Sequence, residues 1–205
     1  MNHLRMTALL TLLLPAASSL AGPFDSHLDA GIDPASIAAW ATTVVDYSPT
    51  SEVDLGSFGN AAEGLGPANG DIVSLGDLID PSGGGEGPGS ITLGFQATIV
   101  NGPGADFAVF ENAFDFTFDP NVSPDIVFAE LAFVEVSSNG TDFARFPATS
   151  LNIEPDPNNP DPDRDLHVPF GRNFAGANTT NIANLAGVNL TLTGTPFDLS
   201  ELAGD

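Results

Sequence analysis

LAFVEVSSNGTDFARF, residues 131–146, decides how this chain is read. Two runs rich in Val, Phe and Ala flank Asn139-Gly140. That pair tolerates positive φ at both central positions of a tight turn, the geometry whose twist suits two antiparallel strands. The stretch predicts a β-hairpin with arms over Leu131–Ser138 and Asp142–Phe146.

The same signals recur outward from the hairpin. Ile91, Leu93 and Phe95 alternate with Thr92 and Gly94, which puts three apolar side chains on one sheet face. Phe107–Phe110 is a continuous apolar run, the pattern of a strand covered on both faces. Val188, Leu190 and Leu192 alternate with Asn189 and Thr191, and Val44–Tyr47 reads as a further strand. Strands this short, punctuated by 22 Gly and 17 Pro, predict an all-β chain, specifically an antiparallel β-sandwich. One short N-terminal helix is expected: Asp33 as N-cap, Pro34 at the first helical position, then Ala35, Ile37, Ala38, Trp40 and Ala41. Gly-rich Pro81–Gly89 and Pro- and acid-rich Glu154–Asp165 read as loops.

Composition limits what the chain can do. With no Cys among 205 residues, disulfide frameworks, zinc-thiolate sites and cysteine nucleophiles are excluded. The net charge of -23 repels phosphate backbones and anionic lipid, so nucleic acid and bare membrane are not the expected partners. His3 and Arg5, the apolar run Met6–Leu14, and small Ser19 and Ala21 make the three-part pattern of a secretory signal peptide over residues 1–21. The run is too short to span a bilayer and Pro15 ends it, so no membrane span is expected in the mature chain. Cleavage after Ala21 removes Arg5 and no acid, taking the net charge from -23 to -24. The mature product, residues 22–205, is read as a single domain, secreted or held at the cell surface.

An ordered set of phrases resembles a family of exported bacterial cell-surface proteins, many of which carry sorting signals of the PEP-CTERM type. They are LGP (65–67), VSLG (73–76), GSITLGF (89–95), NGPG (101–104), DFAVFEN (106–112), VEVSSNG (134–140) and GTPFDL (194–199). The resemblance covers about Ala35 to Leu202 and implies a jelly-roll, galactose-binding-like body. It says little of biochemical activity, because that family is defined by architecture and location. Its members usually continue into further strands and a C-terminal anchor. The chain given ends at Asp205, so either a C-terminally truncated domain or a short variant whose sheet ends early is expected.

Oxygen ligands give the candidate chemistry. Asp106, Glu111, Asn112 and Asp115 lie along and just after one predicted strand, where side-chain and backbone oxygens could converge on calcium, a cation that takes 6 to 8 of them. Asp161, Asp163 and Asp165 have the spacing that opens a calcium loop, but Leu166 and Arg172 stand where an EF-hand needs Gly and Glu. They are a weaker calcium candidate. His27 and His167 have no partners at ligand spacing, and neither Gly-x-Ser-x-Gly nor His-Glu-x-x-His occurs. Glu130 and Glu135, at odd spacing on one strand, point to opposite faces.

No catalytic residues are therefore assigned. The expectation is a non-catalytic binding protein for an extracellular glycan or matrix, with a structural calcium. A purely structural surface protein is the alternative. A secreted glycoside hydrolase would need Glu111 and a second carboxylate facing one cleft, about 5 to 10 Å apart.

Overall fold

The computed structural model describes residues 23–51, 53–76, 88–115, 124–151 and 175–202. The leader expected over residues 1–21 and the triplet Asp161, Asp163 and Asp165 lie outside the described residues. The fold is mostly strand with few helices, and every named strand pair is antiparallel. Among the described residues the strands form six two-stranded pairs.

The first pair joins β1 (Thr43–Ser48) to β2 (Ser90–Gly94), with a bulge between Val44 and Asp46. Between them lie α2 (Leu55–Phe58) and a 3-10 turn, Ala61–Gly64, whose Gly64 packs on Ile91, Val73 and Leu93. Phe95 falls beyond β2 and is exposed, so only Ile91 and Leu93 serve the covered face.

Along the rest of the chain come β3 (Phe107–Val109), β4 (Ile126–Phe128), β5 (Ala132–Phe133), β6 (Glu135–Val136), β7 (Ala144–Arg145), β8 (Thr149–Ser150), β9 (Ala175–Asn178), β10 (Ile182–Ala183), β11 (Leu185–Ala186) and β12 (Thr195–Phe197). Residues 175–197 zip back against residues 107–150: β12 on β3, β9 on β4, β11 on β5 and β10 on β8. Among the described residues only β6 and β7 form a local hairpin.

That hairpin is the one the sequence predicts, but its arms are shorter. Pairing stops at Val136 and Ala144, and Asn139-Gly140 lies inside a seven-residue loop, 137–143, with Gly140 at φ 72°. The ion pair between Arg145 Nε and Glu135 Oε1 (2.7 Å) crosses it, and the same guanidinium lies 4.4 Å from the Phe133 ring centre.

Two expectations need correction. The helix from Asp33 is a single 3-10 turn, Pro34–Ser36: Asp33 caps the Ala35 N–H as predicted, but Ile37 is already extended. Tertiary packing overrides the helical spacing of Ile37, Ala38 and Trp40, since Trp40 packs on Phe110 with ring centres 5.1 Å apart. The only described α-helix N-terminal to it is the short α1 (His27–Ala30), capped by Ser26. Nor is Val188–Leu192 a strand. Leu190 bridges Ala113, then Thr193 N–H closes a turn on the Leu190 carbonyl and Leu192 takes φ 67°.

The interior has two clusters. Val127, Ala129, Ala177, Ile182 and Leu185 make one, and Phe146, Ala186 and Phe197 the other. Leu185 and Ala186 are successive residues of β11 and point to opposite sides, so this one strand serves both cores.

Candidate functional site

A shallow cleft of about 300 Å³ opens beside the β1–β2 pair, lined by Ser57, Phe58, Asn60, Glu63, Gly70, Asp71 and Ile72. Its walls are built by local backbone devices. Asp54 caps α2 by accepting the Gly56 N–H, and the Ser57 hydroxyl with that N–H holds its carboxyl below the usual carboxylate range. The cap sets the single helical turn that presents Ser57 and Phe58. Asn60 caps the following turn by accepting from Ala62 N–H and donates Nδ2 to Glu63 Oε1 at 2.6 Å. On the other wall Asn69 Oδ1 accepts from Asp71 N–H and its Nδ2 donates to Asp71 Oδ2 at 2.6 Å, around Gly70 at φ 90°. The Ser74 N–H donates to the Phe58 carbonyl and ties the walls together.

Phe58 is 46% exposed and Ile72 is exposed, so the lining combines apolar surface from these two with the polar side chains of Ser57, Asn60, Glu63 and Asp71. Its volume is at the lower end of small-molecule sites, roughly 300–1,000 Å³. Such a site can stack one flat apolar face and accept hydrogen bonds from hydroxyls around it. Trp40 and Tyr47 do not add platforms: Trp40 packs on Phe110, and the half-buried Tyr47 donates its hydroxyl to the Ser74 carbonyl at 2.7 Å.

The three carboxylates of the quartet read as a calcium site, Asp106, Glu111 and Asp115, do not come together as a metal-sized group. Asp106 precedes β3 and Glu111 follows it, with the three-residue strand and Phe110 between them. Asp106 is a backbone clamp. Its Oδ1 accepts Gly102 N–H at 2.6 Å, its Oδ2 accepts Leu199 N–H at 2.8 Å, and its own N–H donates to the Phe197 carbonyl. Asn112 is half-buried and Asp115 is exposed, on either side of Ala113 and Phe114, which bridge Leu190 and Phe128. Among the described residues no three His, Asp or Glu side chains lie close enough together to hold a metal ion.

The structure instead sets Glu111 against Glu130. Glu111 is half-buried. That desolvation, with the negative charge of Glu130 as the lesser cause, pushes the Glu111 carboxyl up to about 8. Neither carboxylate lines the Phe58 cleft.

The consequence is a contribution from Glu111 to stability that falls with rising pH. The folded chain holds the Glu111 proton up to about pH 8, whereas the unfolded chain releases it near the ordinary value of 4.5. Between those values the folded state binds more protons. The contribution is whole below the lower value and is lost as pH rises towards the upper one, at about 1.4 kcal/mol per pH unit where the slope is steepest. Glu111→Gln keeps the shape without the ionisation and is expected to flatten this slope. Thermal melts in EDTA from about pH 5 to about pH 8 check it; parallel slopes in the two proteins would contradict the assignment.

Sequence reasoning missed the cleft, although Asn60-x-x-Glu63 and Asn69-Gly70-Asp71 are legible capping and turn patterns. Among the described residues no helix is long and apolar enough to cross a membrane. Comparison with family models, with curated proteins and with solved structures found no match to this chain.

Proposed function

We propose that the chain is an exported, non-catalytic binding protein of the cell surface or extracellular space, and that the Phe58 cleft takes a neutral glycan. The observation that carries this is an exposed aromatic side chain in a cleft whose lining also holds uncharged and acidic side chains. A pyranose offers it one apolar face for Phe58 and hydroxyls for Asn60, Glu63 and Asp71. Two carboxylates at the cleft, on a chain of net charge -23, disfavour uronic, sialic and sulfated glycans. The leader pattern supports export, and the family phrases support the finer reading of the strand pairs as parts of a galactose-binding-like jelly roll. No step of this reading runs through calcium.

Affinity electrophoresis of the purified chain through neutral and polyanionic polysaccharides tests the reading. Retardation by a neutral polysaccharide, weakened about ten-fold in Phe58→Ala, is the expected result. No retardation by any neutral glycan would favour a purely structural surface protein. A secreted glycoside hydrolase is the other reading, and it needs Glu111 and a second carboxylate facing one cleft. Release of reducing ends from the same polysaccharides, lost in Glu111→Gln, would replace binding by hydrolysis.

A further inference from the structure

The loop between β6 and β7 concentrates hydrogen bonds on one side chain. Asn139 Oδ1 accepts from Thr141 N–H and Asp142 N–H at 2.8 Å each and from the Ser137 hydroxyl at 3.1 Å. Its Nδ2 donates to Asp142 Oδ2 at 2.8 Å. The Ser137 oxygen in turn accepts from Asn139 N–H at 3.2 Å and from Gly140 N–H at 2.9 Å. Gly140, at φ 72°, has no atom within 4 Å of the place a Cβ would take, and the loop is exposed from Ser138 to Phe143.

Asn followed by Gly is the sequence in which a side-chain amide is most open to its own backbone, because no Cβ shields the next nitrogen. We propose that Asn139-Gly140 is a self-modification site, a deamidation centre that the Ser137–Asp142 network holds shut and that reacts when the hairpin loop opens.

The Gly140 nitrogen gives its proton to hydroxide and attacks Asn139 Cγ. A new N–Cγ bond forms, Nδ2 takes a proton from water, which restores the hydroxide, and the Cγ–Nδ2 bond breaks to release ammonia. Water then opens the five-membered imide at either carbonyl, giving aspartate or isoaspartate at position 139. No oxidant or cofactor enters.

Three contacts oppose the first step in the closed loop. The Gly140 N–H that must be lost is held by Ser137 Oγ. The Asn139 amide is fixed at both its oxygen and its nitrogen, so it cannot turn its face towards Gly140. The Asp142 carboxylate disfavours a second negative charge beside it. Opening releases all three together, which makes the chemical rate a readout of local hairpin stability. The product keeps the loop from closing as before, since the donor to Asp142 is gone and a carboxylate replaces it.

The test incubates the intact chain and a synthetic peptide of residues 134–146 at mildly alkaline pH and follows amide loss at Asn139 by peptide-mapping mass spectrometry. The intact chain is expected to react about ten-fold more slowly than the peptide, the ratio supplied by roughly one net hydrogen bond of opening free energy. Ser137→Ala is expected to move the intact chain towards the peptide rate while its global melt stays in place. Equal rates in intact chain and peptide would overturn the proposal, as would a folded Ser137→Ala chain that reacts no faster than wild type. If Ser137→Ala does not fold, the comparison of the intact wild-type chain with the peptide decides alone.

Discussion

Gly187→Ala is expected to cost about 2–5 kcal/mol, of which ~1–2 comes from a left-handed alanine and ~1–3 from steric overlap. Gly187 is buried at φ 84° directly after β11, and a Cβ there would lie 1.8 Å from the Glu130 carbonyl oxygen and 2.4 Å from its carbon. Both atoms are backbone, so no rotamer change relieves the contact. Moving Glu130 would drag Ala129 out of one core and shift the Ala186↔Ala132 pairing that borders the other. Against a stability of about 5–15 kcal/mol, that loss takes a large share of the fold. Gly66→Ala is the control, because Gly66 has φ 78° but nothing within 4 Å of its missing Cβ. Urea melts of the two variants separate overlap from conformational cost, and equal midpoints would contradict the close approach at Glu130.

What the sequence made legible was local. The hairpin and the Asp33 cap depend on neighbours within a few residues, where turn and cap chemistry act, and the strands at Val44, Ile91 and Phe107 show in their own apolar runs although their partners lie far along the chain. What it hid was non-local. Alternation at Val188–Leu192 mimics a strand, yet Leu190 meets Ala113 and the Thr191 N–H and hydroxyl both go to the Ala113 carbonyl, 78 residues away. The helical spacing of Ile37 and Trp40 loses to the Phe110 ring for the same reason.

The candidate site divides along the same line. Asp106 looks like a cation ligand because a strand-end carboxylate is an available one; its partner Leu199 N–H lies 93 residues on. Glu111 meets Glu130 because the neighbouring Phe114 and Phe128 exchange backbone hydrogen bonds at 3.0 and 2.9 Å, a register no local pattern announces. The cleft could have been found, since its caps are local, but its Phe58 platform carries no signal of its own in a chain with 15 Phe.

Phe146→Ala is expected to destabilise the chain by about 3–5 kcal/mol, the range for emptying a packed aromatic site. Phe146 is 1% exposed, and its ring meets Phe197 at 5.0 Å and Phe107 at 5.8 Å, edge-on to both. Those two rings stack on each other at 5.3 Å from opposite strands of the β3–β12 pair. The Phe146 N–H also donates to the Val134 carbonyl and anchors the hairpin to this core. A cavity here therefore loosens three things at once: the hairpin base, the β3–β12 register, and the Asp106 clamp on Leu199 that follows Phe197. Because the rings share one cluster, Phe146→Ala and Phe197→Ala should be non-additive, the double variant costing less than the sum. Trp40, the single tryptophan, packs on Phe110 just past β3 and supplies the probe. If the aromatic core and the N-terminal strand pair unfold as one unit, Trp40 fluorescence and far-ultraviolet circular dichroism will shift together in Phe146→Ala. A fluorescence transition left at the wild-type midpoint while the dichroism moves would show two independent units. The Phe58 cleft would then belong to a piece of the chain that folds without the aromatic core.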